Sequence, residues 1–281
     1  MKKTKILFIS YYFQPDNVIG ALRATKLVKF LTRDFNCVCD VITVENETKK
    51  LKEREEVFAA SILTIKEDKH KLQNNGSSQA NKITTTMEKK QKPSKFRYVG
   101  FSIKHVIKQH QLLKRAKKQI KHIDFTKYDA VFSTFGPEFN HLLANFIKKK
   151  NNNLTWIADF RDPVYNLLYT PKLLSRYKKS FVRKYCKDAN YITDVSTGYS
   201  KALYYKDSQK IRVITNGYDD DDFKQGEVTK FSKFTFFVSG NLYDGRRSIS
   251  PVIRAVSELI ESRTIAKNNL QFLYSGVIRR C

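Results

Sequence analysis

Apolar positions in this chain come in short blocks separated by polar, turn-forming stretches. Residues 5–10 (KILFIS) form a brief apolar run, the pattern of a strand buried on both faces. The loop that follows, YYFQPDNVIGALR, holds the turn residues Pro15, Asp16, Asn17 and Gly20. Leu22, Leu27, Val28, Phe30 and Leu31 then recur at helical spacing with lysines between them, and Val38–Val44 reads as a second strand. Strand, loop, helix and strand in this order open a doubly wound α/β fold. From about residue 45 to 95 the stretch is polar and includes QNNGSSQANKITTTMEKKQKPSK, and it is expected to be a flexible insertion. A basic helix is predicted over about 102–122, with Ile103, Val106, Ile107, Leu113 and Ile120 roughly on one face.

The alternation then returns. Strands are predicted over 128–133, 154–158, 191–195 and 211–215, with helices over 137–149, 171–188 and from Ser200. Asn216-Gly217-Tyr218 reads as a turn and hinge, and the acidic run Asp219 to Asp222 follows it. A domain boundary is placed there, giving 1–217 and 218–281. The second part holds a strand at 234–238, the loop SGNLYDGRRSIS, a helix at 251–263 and a strand at 270–274. The expectation is an α/β chain: one complete Rossmann-like domain with a mainly parallel sheet, then the first βαβ unit of a second.

Composition narrows the function classes. Hydrophobic residues make up 41% of the 281, an ordinary share for a chain with a buried core. No apolar run approaches the roughly 18–20 residues that span a bilayer. The N-terminus passes directly into the first strand without the apolar stretch of a signal peptide, so a cytoplasmic protein is expected. The formal charge of +26 favours anionic partners: nucleic acid, acidic lipid or sugar phosphates. A Lys-, Asn- and Ile-rich composition, as an AT-rich coding sequence gives, supplies such charge with no partner selected. No helix-turn-helix, zinc-finger or RNP pattern is present, so a nucleic-acid reading rests on charge alone. Cys37, Cys39, Cys186 and Cys281 lack metal or redox spacing and read as free thiols. His105 and His110 are five apart, not four, and neither a metal nor a cofactor is expected.

Several segments in order resemble family 4 glycosyltransferases, which have the GT-B fold. They are ILFISYYFQPDNVIGALRATKLVKFL, STFGPEF, WIADFRDP, DANYITDVSTGYS, KIRVITNGYDDDDF and FFVSGNLYDGRRSISPVIRAVSELI. The resemblance covers most of 4–44 and 128–276, with nothing usable in the insertion. It implies two Rossmann-like domains facing across a cleft, the first binding an acceptor and the second a nucleotide sugar, usually without metal. It also implies a glycan or lipid-linked acceptor and a role in surface-polysaccharide assembly. The alternatives are a noncatalytic remnant or partner subunit and, less favoured, a basic nucleic-acid binder.

Gly20 lies between the first strand and helix, where a missing side chain lets backbone N–H groups approach phosphate; the family uses glycine there for that contact. It is otherwise an ordinary loop glycine, and Val18 and Ile19 stand where related sequences often have a second glycine. By the same resemblance Gly240, Arg246 and Arg247 are donor-phosphate residues, guanidinium groups suiting a diphosphate; otherwise the arginines belong to a solvated basic loop. Asp159, Arg161 and Asp162 follow a strand's C-terminal end, where α/β sheets place ligands. Asp159 first, and Asp162 second, are the candidates to orient or deprotonate an acceptor hydroxyl. The competing reading is an internal Arg161–carboxylate pair that shapes the loop. Trp156 reads as core. Asp159 and Gly20 are expected at the same edge of the sheet.

The segment Tyr165 to Tyr169 and the helix after it mix aromatics with Lys172, Arg176, Lys179 and Arg183. This suits an anionic membrane surface, giving peripheral attachment to the inner face of the membrane, or else a helix packed on its own domain with a solvated basic face. The family's paired glutamates for donor sugar and ribose have no matching segment. The expectation is therefore a donor domain truncated after one βαβ unit, a chain without sugar transfer, and weaker protection of residues beyond about 217.

Overall fold

The computed structural model describes residues 2–45, 56–66, 95–164, 172–202, 208–224, 230–240 and 248–276. The chain divides into two compact units, Met1–Tyr218 and Asp219–Cys281. The first runs β1 (Lys5–Ile9), α1 (Ile19–Asp34), β2 (Val38–Val44), β3 (Ser61–Ile65), α2 (Lys95–Gln119), β4 (Ala130–Thr134), α3 (Phe139–Lys150), β5 (Thr155–Phe160), α4 (Lys172–Tyr185), β6 (Tyr191–Asp194), α5 (Thr197–Ala202) and β7 (Ile211–Val213). The seven strands form one sheet in the order β3-β2-β1-β4-β5-β6-β7, and every pairing is parallel. The chain winds outward one way from β1 and the other way from β4. The topological switch point therefore lies between those two strands.

The strands are apolar in continuous runs because both faces are covered. Leu7, Ile9, Ile42, Val44, Val131, Trp156, Ala158 and Phe160 pack against Leu112, Ala116, Leu143 and Phe181 of α2, α3 and α4. Phe8, Val41 and Phe132, one residue out of step, pack on the other face against Ala24 and Val28 of α1. Successive side chains of a strand point to opposite faces, so a fully apolar strand feeds two cores. On α1 the buried residues are Ala21, Ala24 and Val28, whereas Leu22, expected on the apolar face, is exposed. Small residues on this face bring the helix backbone close to the sheet. The helix ends before Asn36, which adopts a left-handed conformation (φ 53°).

Within the stretch read as an insertion, Ser61–Ile65 forms β3 and pairs in parallel with β2 at the sheet's edge. Only Ile65 of its five residues is buried, so the strand leaves almost no apolar pattern in the sequence. Residues 46–55 and 67–94 of that stretch lie outside the described residues.

The second unit holds β8 (Phe234–Ser239), α6 (Ser250–Glu261) and β9 (Leu270–Ser275), with β8 and β9 parallel and in register from Phe234↔Leu270 to Ser239↔Ser275. A parallel pair joined through a helix is the βαβ unit expected. No residue of these three elements is fully buried. Phe236 and Phe272 stack at 6.1 Å across the strands.

Candidate functional site

The C-terminal edge of the large sheet carries a row of polar side chains set by strand register. Thr134 on β4 pairs with Asp159 on β5, and Asp159 pairs with Thr193 on β6. All three face the α1 side, as do Phe132 and Ile157 two residues before the first two of them. Asp159 is 0% exposed. The hydroxyls of Thr193 and Thr134 donate to its Oδ1 and Oδ2 at 2.7 and 3.1 Å. Arg23, one turn into α1, closes on the same carboxylate with Nη2 at 2.9 Å and Nε at 3.0 Å. Its remaining donors reach the chain after β7: Nη2 to the Ile214 carbonyl (3.1 Å), and Nη1 to Asn216 Oδ1 (3.0 Å) and the Thr215 carbonyl (3.5 Å). All five guanidinium protons thus have acceptors, and each carboxylate oxygen accepts two bonds. Asp159, the leading candidate to handle an acceptor proton, is here a saturated member of a buried clamp. Arg23 and the two threonines were not singled out from sequence. The three-residue spacing of Gly20 and Arg23, which puts them on one face of α1, was the available signal.

Arg161 continues the same alternation, Ile157, Asp159, Arg161, and also turns toward α1. It passes the end of β4 at Gly136 and donates from Nη1 to the Gly20 carbonyl at 2.6 Å. Gly136 has φ +98°, a backbone state that favours glycine, and a Cβ there would lie 3.5 Å from Arg161 Nη2. A Cβ on Gly20 would lie 2.9 Å from Tyr12 Cδ2 and 3.2 Å from Arg161 Nη2. Gly20 thus makes room for a tyrosine and a guanidinium, and an anion approaching this loop meets Arg161. Gly20 and Asp159 lie at the same edge of the sheet, as expected. Asp162 faces solvent, 74% exposed, with Oδ2 3.7 Å from Arg161 Nε.

Other buried ionisable groups surround this edge. Asp194 ends β6, and its Oδ1 accepts the Val195 N–H at 2.6 Å. Burial, and secondarily the Asp159 charge, push its pKa up to about 6, against the backbone N–H groups of Val195 and Ser196 and the Arg23 cation. His141 on α3 is fully buried and hydrogen-bonds Ser133 through Nδ1 at 2.8 Å; Ser133 Oγ also accepts from Trp156 Nε1. Burial holds His141 down at about 3, so its imidazole is neutral at pH 7. Trp156 is core, as expected. Glu138 opens α3 and meets His105 of α2 at 2.8 Å and Lys178 of α4 at 3.8 Å. Burial raises its pKa, but these partners and a backbone N–H outweigh it, leaving the carboxyl below its usual range.

In the second unit Gly240 ends β8 with φ +114°. Its N–H donates to the Ser275 carbonyl and its carbonyl accepts the Tyr274 hydroxyl. Arg246, Arg247 and the segment 165–170 lie outside the described residues. Helices α2 and α4 pack side by side on one face of the first unit, and neither contains an acidic residue. Arg176, Lys179, Ser180, Arg183 and Lys184 line an open depression of about 400 Å³; the Lys172 side chain is not among those described. Tyr177, Phe181 and Tyr185 point from α4 into the core side and its margin. Among the described residues, no helix is long and apolar enough to cross a membrane, and no three His, Cys, Asp or Glu side chains gather as metal ligands would. Cys39 and Cys186 are buried and Cys37 half-buried, all three as thiols; burial pushes Cys39 up to about 11 and Cys186 higher still.

No protein-family model matches the chain, and no curated protein matches it. Among solved structures the chain is similar to the N-terminal domain of trehalose-6-phosphate phosphatase from Candida albicans, with a TM-score of 0.57 at 10% identity. That match covers 99% of this chain and 65% of the other. It is also similar to the glycotransferase of kitacinnamycin (TM-score 0.48, 8% identity, 98% of this chain and 66% of that one). A third is S. aureus MnaA in a co-structure with UDP (0.45, 12%, 98% and 62%). The chain spans less than two thirds of the length of each of these. At such identities the likeness is one of fold, and the first score alone is high enough to carry it. The fold class is the α/β, Rossmann-like one expected.

Proposed function

We propose that this chain belongs to a GT-B glycosyltransferase that moves a sugar from a nucleotide-sugar donor to a glycan or lipid-linked acceptor in surface-polysaccharide assembly. One observation carries the reading: three loops far apart in sequence, holding Gly20, Gly136 and Arg161-Asp162, converge at the switch point of a doubly wound sheet. That is where such sheets hold ligands. The order of the motifs around these loops is that of family 4 enzymes. Sugar transfer needs the leaving diphosphate neutralised, the acceptor hydroxyl oriented and water kept out.

In this proposal Asp162 is the carboxylate that an acceptor hydroxyl can reach, because it is exposed and lightly paired. Asp159 acts through position, holding Arg23 and the edge of the sheet. Gly240, Arg246 and Arg247 belong to the donor side by resemblance, and no metal or cofactor enters. The basic helices α2 and α4 support an approach to an anionic membrane, where lipid-linked acceptors reside. The test titrates the purified protein with UDP-, TDP- and GDP-sugars and with a prenyl-diphosphate-linked sugar in anionic nanodiscs. Saturable binding of the nucleotide sugar and of the acceptor is expected. Binding of no glycan ligand, or displacement of the acceptor by a DNA oligomer at physiological salt, would overturn the reading in favour of a charge-driven binder.

A further inference from the structure

Arg161 has an unfilled edge. Its Nη1 is engaged by the Gly20 carbonyl. The other edge of the guanidinium, where Nε–H and one Nη2–H run parallel, makes no hydrogen bond among the described residues. The nearest carboxylate is Asp162, whose 3.7 Å separation from Nε is too long for a hydrogen bond. Two coplanar N–H groups match two oxygens of one anion, which is why arginine recognises carboxylate and phosphate in pairs of bonds. Gly20 and Gly136 flank Nη2 and place no side chain over it. Nε is buried and without a partner among the described residues, while the side chain as a whole is 16% exposed, so a ligand reaches this edge from the Nη2 side and by displacing Asp162. The first turn of α1, to which Gly20 belongs, has no acidic residue and no side-chain cap to offset the positive end of the helix dipole.

We propose that this edge of Arg161 is an oxyanion site that takes a phosphate or diphosphate group. Asp162 is its internal competitor. A carboxylate in the same loop stands beside the fork without closing on it, so the ligand that displaces it must bring more charge and more acceptor oxygens. Phosphate does so, at roughly −1.5 to −2 near neutral pH. The diphosphate has two sources, a nucleoside diphosphate or a lipid-linked diphosphate. This deepens the glycosyltransferase reading, on which the identity of the substrate rests; the anion site itself stands on the geometry.

The test is calorimetric titration of the full chain with inorganic pyrophosphate, with UDP and with farnesyl diphosphate. Saturable pyrophosphate binding is expected, weakened about tenfold or more by Arg161→Gln and less by Arg161→Lys. Asp162→Asn, an exposed change that keeps the fold testable if Arg161→Gln does not fold, should tighten binding about two- to fivefold. UDP binding with farnesyl diphosphate inert assigns the donor, and the reverse assigns the acceptor. Arg161-dependent pyrophosphate binding in a protein that binds no sugar ligand keeps the site while removing the glycosyltransferase. Pyrophosphate binding that is absent, or unchanged in a folded Arg161→Gln variant, or not tightened by Asp162→Asn, overturns the proposal.

Discussion

Two arginines stand at the same edge of the same sheet and are put to opposite uses. Arg23 is 10% exposed, and every one of its guanidinium protons is held by Asp159 or by the chain leaving β7. Arg161 is nearly as buried yet has one hydrogen bond, to a backbone carbonyl, among the described residues. Burial therefore does not distinguish structure from site here; the count of satisfied donors does. A saturated guanidinium opposite a saturated carboxylate stabilises by being complete, since removing either member leaves the other charge buried alone. An unsaturated one, its buried Nε left without a hydrogen bond among the described residues, keeps donors for a partner from outside.

The largest effect that tests this contrast is on stability. Arg23→Ala or Asp159→Ala should cost about 3–5 kcal/mol, read from urea unfolding, because each strands a buried charge. Replacing both together should cost less than the sum of the single changes. Arg161→Gln should cost under about 1 kcal/mol by the same measurement, as expected for a group with one neutral acceptor. Equal losses at both arginines would erase the distinction.

A second effect sharpens the Arg23 side through pH. Asp194 is raised from 3.8 to about 6 in the folded state. Its contribution to stability is therefore full below about pH 4 and is lost as pH rises through 6. Asp194→Asn should be more stable than the parent by about 1–3 kcal/mol at pH 8, with the gap closing at pH 4. A gap that is the same at both pH values would mean that folding does not raise the Asp194 pKa.

A third concerns the glycines beside Arg161. Gly136→Ala places a side chain at φ +98° and should cost about 1–2 kcal/mol from backbone strain alone, its Cβ meeting Nη2 at an ordinary distance. Gly20→Ala should cost a similar amount, by pushing the Tyr12 ring and Arg161 apart, and should also weaken pyrophosphate binding. Thermal melting of both variants checks the pair. Full stability in Gly20→Ala would show that Tyr12 and Arg161 yield freely.

The smallest effect lies away from both arginines. Flotation with vesicles of acidic lipid should show salt-sensitive binding, with Arg176→Gln, Arg183→Gln and Lys184→Gln each weakening it by about 1 kcal/mol. Equal flotation with neutral vesicles would remove the membrane from the proposal.

Much of this architecture was legible in the chain. The apolar runs at Lys5–Ile9, Val38–Val44 and Thr155–Phe160 announced strands covered on both faces, and their alternation with helical periods announced a parallel sheet. β3 was hidden because one buried residue in five leaves almost no pattern. Leu22 was misplaced because α1 meets the sheet through Ala21, Ala24 and Val28, and alanines carry little weight in a hydrophobic stripe. Within WIADFRDP, strand alternation already puts Asp159 and Arg161 on one face.

The local pattern thus determined which elements form and toward which side each residue of a strand points, since backbone geometry imposes a period of two whatever lies beyond. It did not determine who waits on that side. Asp159 meets Arg23 across 136 residues, and Arg161 meets Gly20 across 141. Those meetings exist because β1, β4, β5 and β6 are neighbours in the sheet and α1 lies over their ends. Strand order is set by how all the apolar faces are buried together, so only the folded chain could make one arginine a clamp and leave the other open.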